Sequence, residues 1–289
     1  MGCYNSYGLL DLTNKQAQKR FGKIGLIAGG GNFPLLLVKD MVKNKTPFAV
    51  MGIKGFVSSD IKKLAKSHYE EGFITDFSKV VKFFKKERVN NIVIVGGVNS
   101  AAVRFNNLSV LKIFTKLFFY KKKHDGIFRV VIKEFEDKGF GVVGAQDIMP
   151  TLMTKPGLLT KTKPSKQDLK DIDVAIIKSK ELGNTDLGQA AIVMNGVLIG
   201  DESVPGTDAL IKRCLTAKNG KSGGVMAKLT KPGQEERCDI PAIGFGTVQN
   251  LIDGKIHGIV IESGYKTIIE EKEKLIKFAD KNKIFIMAI

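Results

Sequence analysis

The chain has 289 residues, enough for two domains that each bury a core. Apolar residues make up 43% and glycines number 31, which excludes a disordered or fibrous polymer and points to an α/β protein. Lysine and arginine total 46 against 29 acidic residues, a net charge of +17 that suits nucleic acid or an anionic membrane and equally suits a lysine-biased proteome.

Residues 1–22 show no clear period and read as a tail. From Lys23 the pattern alternates: strand Ile24–Ala28, helix Phe33–Asn44, strand Phe48–Ile53, helix Phe77–Lys86, strand Asn91–Val95. That order predicts a parallel sheet with right-handed crossovers, in which ligands sit at the carboxyl ends of the strands. Gly29–Gly31 and Gly96–Asn99 both fall at such ends. A long helical stretch, Val110 to Gly126, follows; it places Val110, Leu111, Phe114, Leu117 and Phe118 on one face, flanked by Lys112, Lys116 and Lys121–Lys123. That face suits either a membrane surface or an ordinary core. Next come a helix His124–Lys138 and a polar connector punctuated by Pro150, Pro156 and Pro164, read as the boundary between a domain at 23–154 and one at 155–289.

The second half predicts a helix Ser165–Leu182, then strands Ala190–Met194 and Val197–Ile199 joined by the hairpin turn Asn195-Gly196. A helix Asp208–Leu215, strands at Gly224–Leu229, Ala242–Phe245 and Gly258–Glu262, a helix Lys266–Asn282 and a last strand Ile284–Ala288 complete an α+β domain. No apolar run reaches the roughly 20 residues that span a bilayer, and no signal-peptide core follows the amino terminus, so a cytoplasmic location is expected. The opening Met1-Gly2-Cys3-Tyr4-Asn5-Ser6 fits the N-myristoylation pattern, one short enough to arise by chance.

Three clusters carry candidate chemistry. The turn Gly29-Gly30-Gly31-Asn32-Phe33-Pro34 has Pro34 where a dinucleotide fingerprint needs its third glycine, and Met51-Gly52-Ile53 offers no acid for a ribose. It either presents backbone N–H groups to a phosphate or only relieves crowding. The second cluster is Asp186-Leu187-Gly188-Gln189 with Asp201–Asp208, where Thr207 fits an N-cap and Asp208 a helix first turn. The third, KPGQEERCDIPAIG, sets Asp239 between a charged loop and an apolar strand, with Lys231 and Arg237 able to neutralise phosphate oxygens. A surface loop with solvated charges is its alternative. Histidines number three (His68, His124, His257), widely spaced, and no G-x-S-x-G or H-E-x-x-H occurs, which disfavours Ser–His and zinc–histidine hydrolases. The three cysteines Cys3, Cys214 and Cys238 are too scattered for a disulfide framework.

The segments IGLIAGGGNFP, GGVNS, DGIFRVVIKEFEDKGF, DLGQAAIV, GTDALIKR and KPGQEERCDIPAIG, in this order, resemble one bacterial family. It is the UDP-2,3-diacylglucosamine pyrophosphatase family of lipid A biosynthesis, in the form that pairs a Rossmann-like amino-terminal domain with a distinct carboxy-terminal one. The resemblance runs from about Lys23 to the carboxyl terminus and implies the fold class α/β: a Rossmann-like parallel-sheet domain plus a distinct α+β catalytic domain. It implies hydrolysis of UDP-2,3-diacylglucosamine to UMP and 2,3-diacylglucosamine 1-phosphate, with water attacking the α-phosphorus and Mg2+ required. The family's essential aspartate falls on Asp239, and its other polar motif positions on Asp186, Gln189, Thr207, Asp208, Lys231 and Gln234. The expected substrate-binding set is Gly29, Gly30, Gly31, Asn99, Gln189, Thr207, Lys231 and Gln234, in a crevice between the domains; the expected metal set is Asp239, Asp208 and Asp186. His124 stands where an Asp-Asp pair is usual, and Ala242 replaces a common threonine. The expected partners are the nucleotide-lipid, the inner face of the inner membrane and a second copy of the chain in a homodimer, with nucleic acid excluded.

Overall fold

The structure is a computed structural model that describes residues 13–73, 75–97, 125–185, 187–202 and 206–289. It forms two compact units: one holds residues 13–151 together with 235–239, the other residues 152–234 and 240–289.

The first unit is built on a five-stranded sheet in the order β3-β2-β1-β4-β5, parallel at every pairing. Strands β1 (Ile24–Ala28), β2 (Phe48–Ile53) and β4 (Asn91–Val95) form its centre, and β1 is buried along its whole length. Their near-continuous apolar sequence is what a parallel strand covered on both faces requires. The two edges were not anticipated: β3 (Tyr69–Gly72) reads YEEG, and β5 (Gly141–Val142) has two residues. Short or charged edges resist pairing with other chains. Helices α2 (Phe33–Lys43), α3 (Ser59–Ala65), α4 (Phe77–Lys86) and α5 (Asp125–Glu136) run between the strands. Ile27, Met51, Phe84, Ile92, Ile132, Phe135 and Val142 meet in one buried cluster.

The end of the expected tail is structured. A helix α1 (Asn14–Lys19) is opened by a Thr13–Gln16 capping box and buries Ala17 and Gln18. Asp40 on α2 accepts from Asn14 Nδ2 at 2.9 Å and Gln18 Nε2 at 2.7 Å. Six residues are too few to show a period, so tertiary hydrogen bonds decide this helix.

The second unit is a six-stranded mixed sheet, β6-β13-β11-β9-β7-β8. Strands β9 (Val225–Lys228), β11 (Gly258–Ile261) and β13 (Phe285–Ala288) are mutually parallel, while β6 (Gly157–Leu158), β7 (Ala190–Met194) and β8 (Val197–Asp201) run antiparallel to their neighbours. One face carries the long helix α7 (Lys166–Asn184), which follows the one-turn helix α6 (Ala145–Ile148) in the chain; its Ile172, Ala175 and Ile176 meet Val193, Val225, Ala227, Val260 and Phe285. The alternate strand residues Ile192, Met226, Ile259 and Ile286 pack with α8 (Thr207–Ala217), α9 (Phe245–Asp253) and α10 (Lys272–Lys281). Period-two alternation thus feeds both layers.

Three sequence expectations are corrected here. The helix expected from Lys266 starts at Lys272, because Ile268–Ile269 instead form β12, parallel to β10 (Ala242–Ile243). Phe245, read as strand, begins α9. The expected N-cap of α8, Thr207, lies inside the helix, and Gly206 takes the cap position.

Candidate functional site

In the first unit the strand order reverses between β1 and β4, the place where open α/β sheets hold ligands. Gly29 N–H donates to Val95 O at 2.8 Å, Gly30 N–H to Gly97 O at 2.8 Å, and Gly97 N–H returns to Gly30 O at 3.1 Å. A Cβ on Gly29 would stand 2.8 Å from the carbonyl oxygens of both Gly96 and Gly97. Glycine is needed here because two backbone turns touch. The N–H groups of Gly29 and Gly30 are therefore engaged within the protein. A phosphate would meet the turn from Gly31 onward, where φ is +93° with open space around Cα, and where α2 begins without a side-chain cap on Asn32. Asn99 lies outside the described residues.

In the second unit the amino end of β7 and the carboxyl ends of β8, β9 and β11 share one edge, since Ala190 is paired with Lys228, Ala191 with Asp201, and Ile261 with Lys228. Gln189, Thr207, Lys231 and Gln234 all gather around it. Gln189 O accepts from Leu229 N–H at 2.9 Å and from Ser179 Oγ at 2.8 Å. Glu202 joins two motifs: its carboxylate accepts from Gln189 N–H at 2.9 Å and from the Thr207 hydroxyl. Gly188 has no room for a side chain, as a Cβ would lie 2.3 Å from Glu202 O. Gln234 is 7% exposed and closes the KPGQ turn by accepting from Lys231 N–H at 2.9 Å. Glu262, just past β11, accepts from Thr230 N–H at 2.6 Å.

Two atoms at this edge stand out. Gln189 Oε1 and Gln234 Nε2 are buried and have no hydrogen-bond partner among the described residues. Leaving such a group unmade costs about 1–3 kcal/mol, so it calls for an explanation. One is an acceptor and the other a donor; the Gln189 backbone is held by Ser179, Leu229 and Glu202, and the Gln234 side chain by Lys231 N–H. Asp208 is the second residue of α8, but its side chain and the whole of Asp186 lie outside the described residues. Glu202 fell inside the second sequence cluster without a role, and Ser179 was not singled out from sequence. The expected β8 stopped at Ile199, whereas pairing runs on to Asp201 and brings Glu202 N–H within 2.7 Å of Ala190 O.

Asp239 belongs to the first unit, at the end of the segment 235–239. Arg237 holds this segment: Nε is 2.8 Å and Nη2 3.0 Å from the two Glu235 carboxylate oxygens, and Nη1 is 2.8 Å from Glu136 of α5. Gln146, on α6, donates to Glu236 O at 2.8 Å, and Cys238 packs on the first unit's core. Arg237 hydrogen-bonded to it keeps the Glu235 carboxyl below the ordinary range despite partial burial, with Arg129 adding to the effect. The expectation that Arg237 neutralises phosphate is corrected: its guanidinium is committed to two carboxylates. Asp239 N–H donates to Glu235 O at 2.9 Å, and its half-buried carboxylate has no hydrogen bond or ion pair among the described residues.

At the opposite edge of the second sheet, Ser222 Oγ lies 3.3 Å from His257 Nε2, and Nδ1 of the same ring 2.9 Å from Asp168. His257 is 45% exposed, and Asp168 also closes the Ser165 capping box of α7. This contact fastens β11 to the start of α7.

Comparison with known proteins gives the class and then the family. The model of the LpxI N-terminal domain matches residues 23–152, and that of the LpxI C-terminal domain residues 155–287. A relative from Caulobacter vibrioides, named UDP-2,3-diacylglucosamine pyrophosphatase LpxI, is 30% identical over 276 residues, covering 92% of this chain and 97% of its own. The protein is an enzyme of the hydrolase class. It belongs to the LpxI family.

Proposed function

We propose that this enzyme hydrolyses UDP-2,3-diacylglucosamine to UMP and 2,3-diacylglucosamine 1-phosphate. The observation that carries the reading is the near full-length likeness to the Caulobacter pyrophosphatase. Two buried amide atoms in these motifs that lack a partner among the described residues support it, because they suit a ligand rich in donors and acceptors.

Water attacks the α-phosphorus in line, the bridging oxygen departs with the β-phosphate, and the water oxygen ends on UMP. Asp239 either orients that water and accepts its proton, or holds a cation beside the phosphates; both roles need its negative charge. Gln189 and Gln234 bind polar groups of the substrate. Lys231, three residues beyond the end of β9, supplies positive charge toward the pyrophosphate.

Magnesium fits the donor chemistry. Mg2+ commonly takes one or two carboxylates and completes its shell with substrate phosphates and water, and the Asp239 carboxylate is a hard oxygen donor with no protein partner among the described residues. The further ligands proposed are Asp186 and Asp208 of the family motifs, whose side chains lie outside the described residues. When bound, the ion would neutralise charge developing on the phosphoryl oxygens.

Membrane capture of the substrate is proposed for the segment 110–123, which lies outside the described residues and whose sequence sets Phe and Leu between lysines. Among the described residues no helix is long and apolar enough to cross a membrane.

Incubation with UDP-2,3-diacylglucosamine and Mg2+ should release UMP. Asp239→Asn should lower the rate by about 10²–10⁴-fold, the range of a general base, or more if a metal site is lost. Added Mg2+ restoring the rate marks a ligand role; a shifted pH profile without rescue marks a base. Parent-level hydrolysis by Asp239→Asn would overturn the mechanism.

A further inference from the structure

We infer that Arg237 and Glu136 are the positioning residues for Asp239, so that an acid from the first half of the chain sets the geometry of the reactive carboxylate. This deepens the proposed function and rests on it for Asp239. A five-residue loop has no secondary structure to hold it, and the ordering entropy of each residue must be met by something local. Here it is met by one guanidinium. Arg237 makes a two-point contact with Glu235 at 2.8 and 3.0 Å, which closes the loop on itself, and a third contact with Glu136 at 2.8 Å, which ties the loop to α5. Planar guanidinium fixes both directions at once, which a lysine ammonium cannot do.

Asp239 inherits this geometry through the backbone. Its N–H, and that of Cys238 at 3.1 Å, both donate to Glu235 O, the carbonyl of the residue whose side chain Arg237 grips. Gln146 fixes the next carbonyl, at Glu236. Among the described residues, the carbonyls on which these backbone and Gln146 bonds end are those of Glu235 and Glu236, three to four residues before Asp239. Asp239 is left to project from the far end with its own carboxylate uncommitted. Misplacing a reactive group by about 1 Å can cost on the order of 10²-fold in rate with little change in ground-state binding. Arg237 therefore acts on turnover, through Asp239, and not on the phosphates.

The test combines kinetics with amide exchange. Arg237→Gln should lower kcat at least tenfold with KM within threefold, Arg237→Lys should recover part of the loss, and Glu136→Gln should show a smaller fall of the same kind. In an Asp239→Asn background, Arg237→Gln should cost nothing further, as expected of residues that act as a unit. Hydrogen exchange at the amides of Cys238 and Asp239 should quicken in Arg237→Gln while the amides of β1 and β4 stay protected. An unchanged kcat, an effect confined to KM, or an additional loss in the Asp239→Asn background overturns the inference. The exchange measurement needs no substrate: unchanged protection at Cys238 and Asp239 refutes the positioning whether or not UMP is released. Absence of UMP release by the parent enzyme with quickened exchange in the variant would instead count against the proposed reaction alone.

Discussion

Gly29 shows how a residue that resembles a ligand site can be demanded by the fold. Gly29→Ala would drive a methyl group to 2.8 Å from two carbonyl oxygens, and overpacking of this kind costs about 1–3 kcal/mol. A urea midpoint for Gly29→Ala equal to the parent's would refute the close approach. Gly31→Ala meets no atoms and bears only the strain of a side chain at φ +93°, about 1–2 kcal/mol, so it is the better probe of nucleotide affinity. Gly30→Val is a poorer one, since its Cβ would already sit 3.3 Å from Gly97 O. Asp168 gives a second prediction at this scale. Burial alone would raise its carboxyl, but the Ser165 hydroxyl and N–H and the His257 ring outweigh that and hold it below its ordinary range. A depressed folded value stabilises the protein above the unfolded value of about 3.9 and is lost as pH falls through the folded one. Between about pH 5 and pH 2 the parent should therefore lose stability faster than Asp168→Asn. Parallel urea-midpoint profiles would remove this role.

At the scale of elements, the hairpin β7–β8 is the clearest case of local sequence dictating structure. Asn195 and Gly196 take φ of 53° and 77°, as a type I′ turn needs, and Asn-Gly announces it. What the dipeptide does not announce is Asp171 on α7, 1% exposed, whose two oxygens accept from Asn195 N–H at 2.9 Å and Gly196 N–H at 2.7 Å. Asp171→Ala would leave both donors without that carboxylate, and hydrogen bonds to a charged group are worth about 1.5–3 kcal/mol each. The expected result is a lower urea midpoint with faster amide exchange at the turn; no change in either would show the turn to be self-sufficient. The same contrast explains what else was legible. Long apolar runs with one period, such as IGLIA or the buried face of α4, carry their own signal. Short strands such as β3, β5 and β12 exist only through partners distant in sequence. Ile268 and Ile269 fit a helical period as well as a strand, and pairing with Ala242 and Ile243 decided it. The candidate residues Gln189, Thr207 and Gln234 were readable from their motifs. Glu202, which holds two of them, depended on antiparallel register two residues beyond the predicted strand end.

For the whole molecule, the charge of +17 becomes testable through the segment 110–123. Replacing Lys121, Lys122 and Lys123 by glutamine should weaken binding to anionic liposomes by about 1 kcal/mol per lysine and leave turnover of a short-chain soluble substrate largely intact. Liposome binding that is unaffected at moderate salt would discard the surface role. The two matched family regions meet near residue 153, and the chain divides between 151 and 152, but not there alone. Residues 235–239 are read from the second half of the gene and fold with the first. Exchange of halves between relatives is constrained accordingly. A chimera that takes residues 13–151 from another member must bring a carboxylate at 136 and a donor at 146, or lose the fastening of Arg237 and Glu236. Those five residues travel with the half that does not encode them, and substitutions at Glu136 and Arg237 can be inherited safely only together.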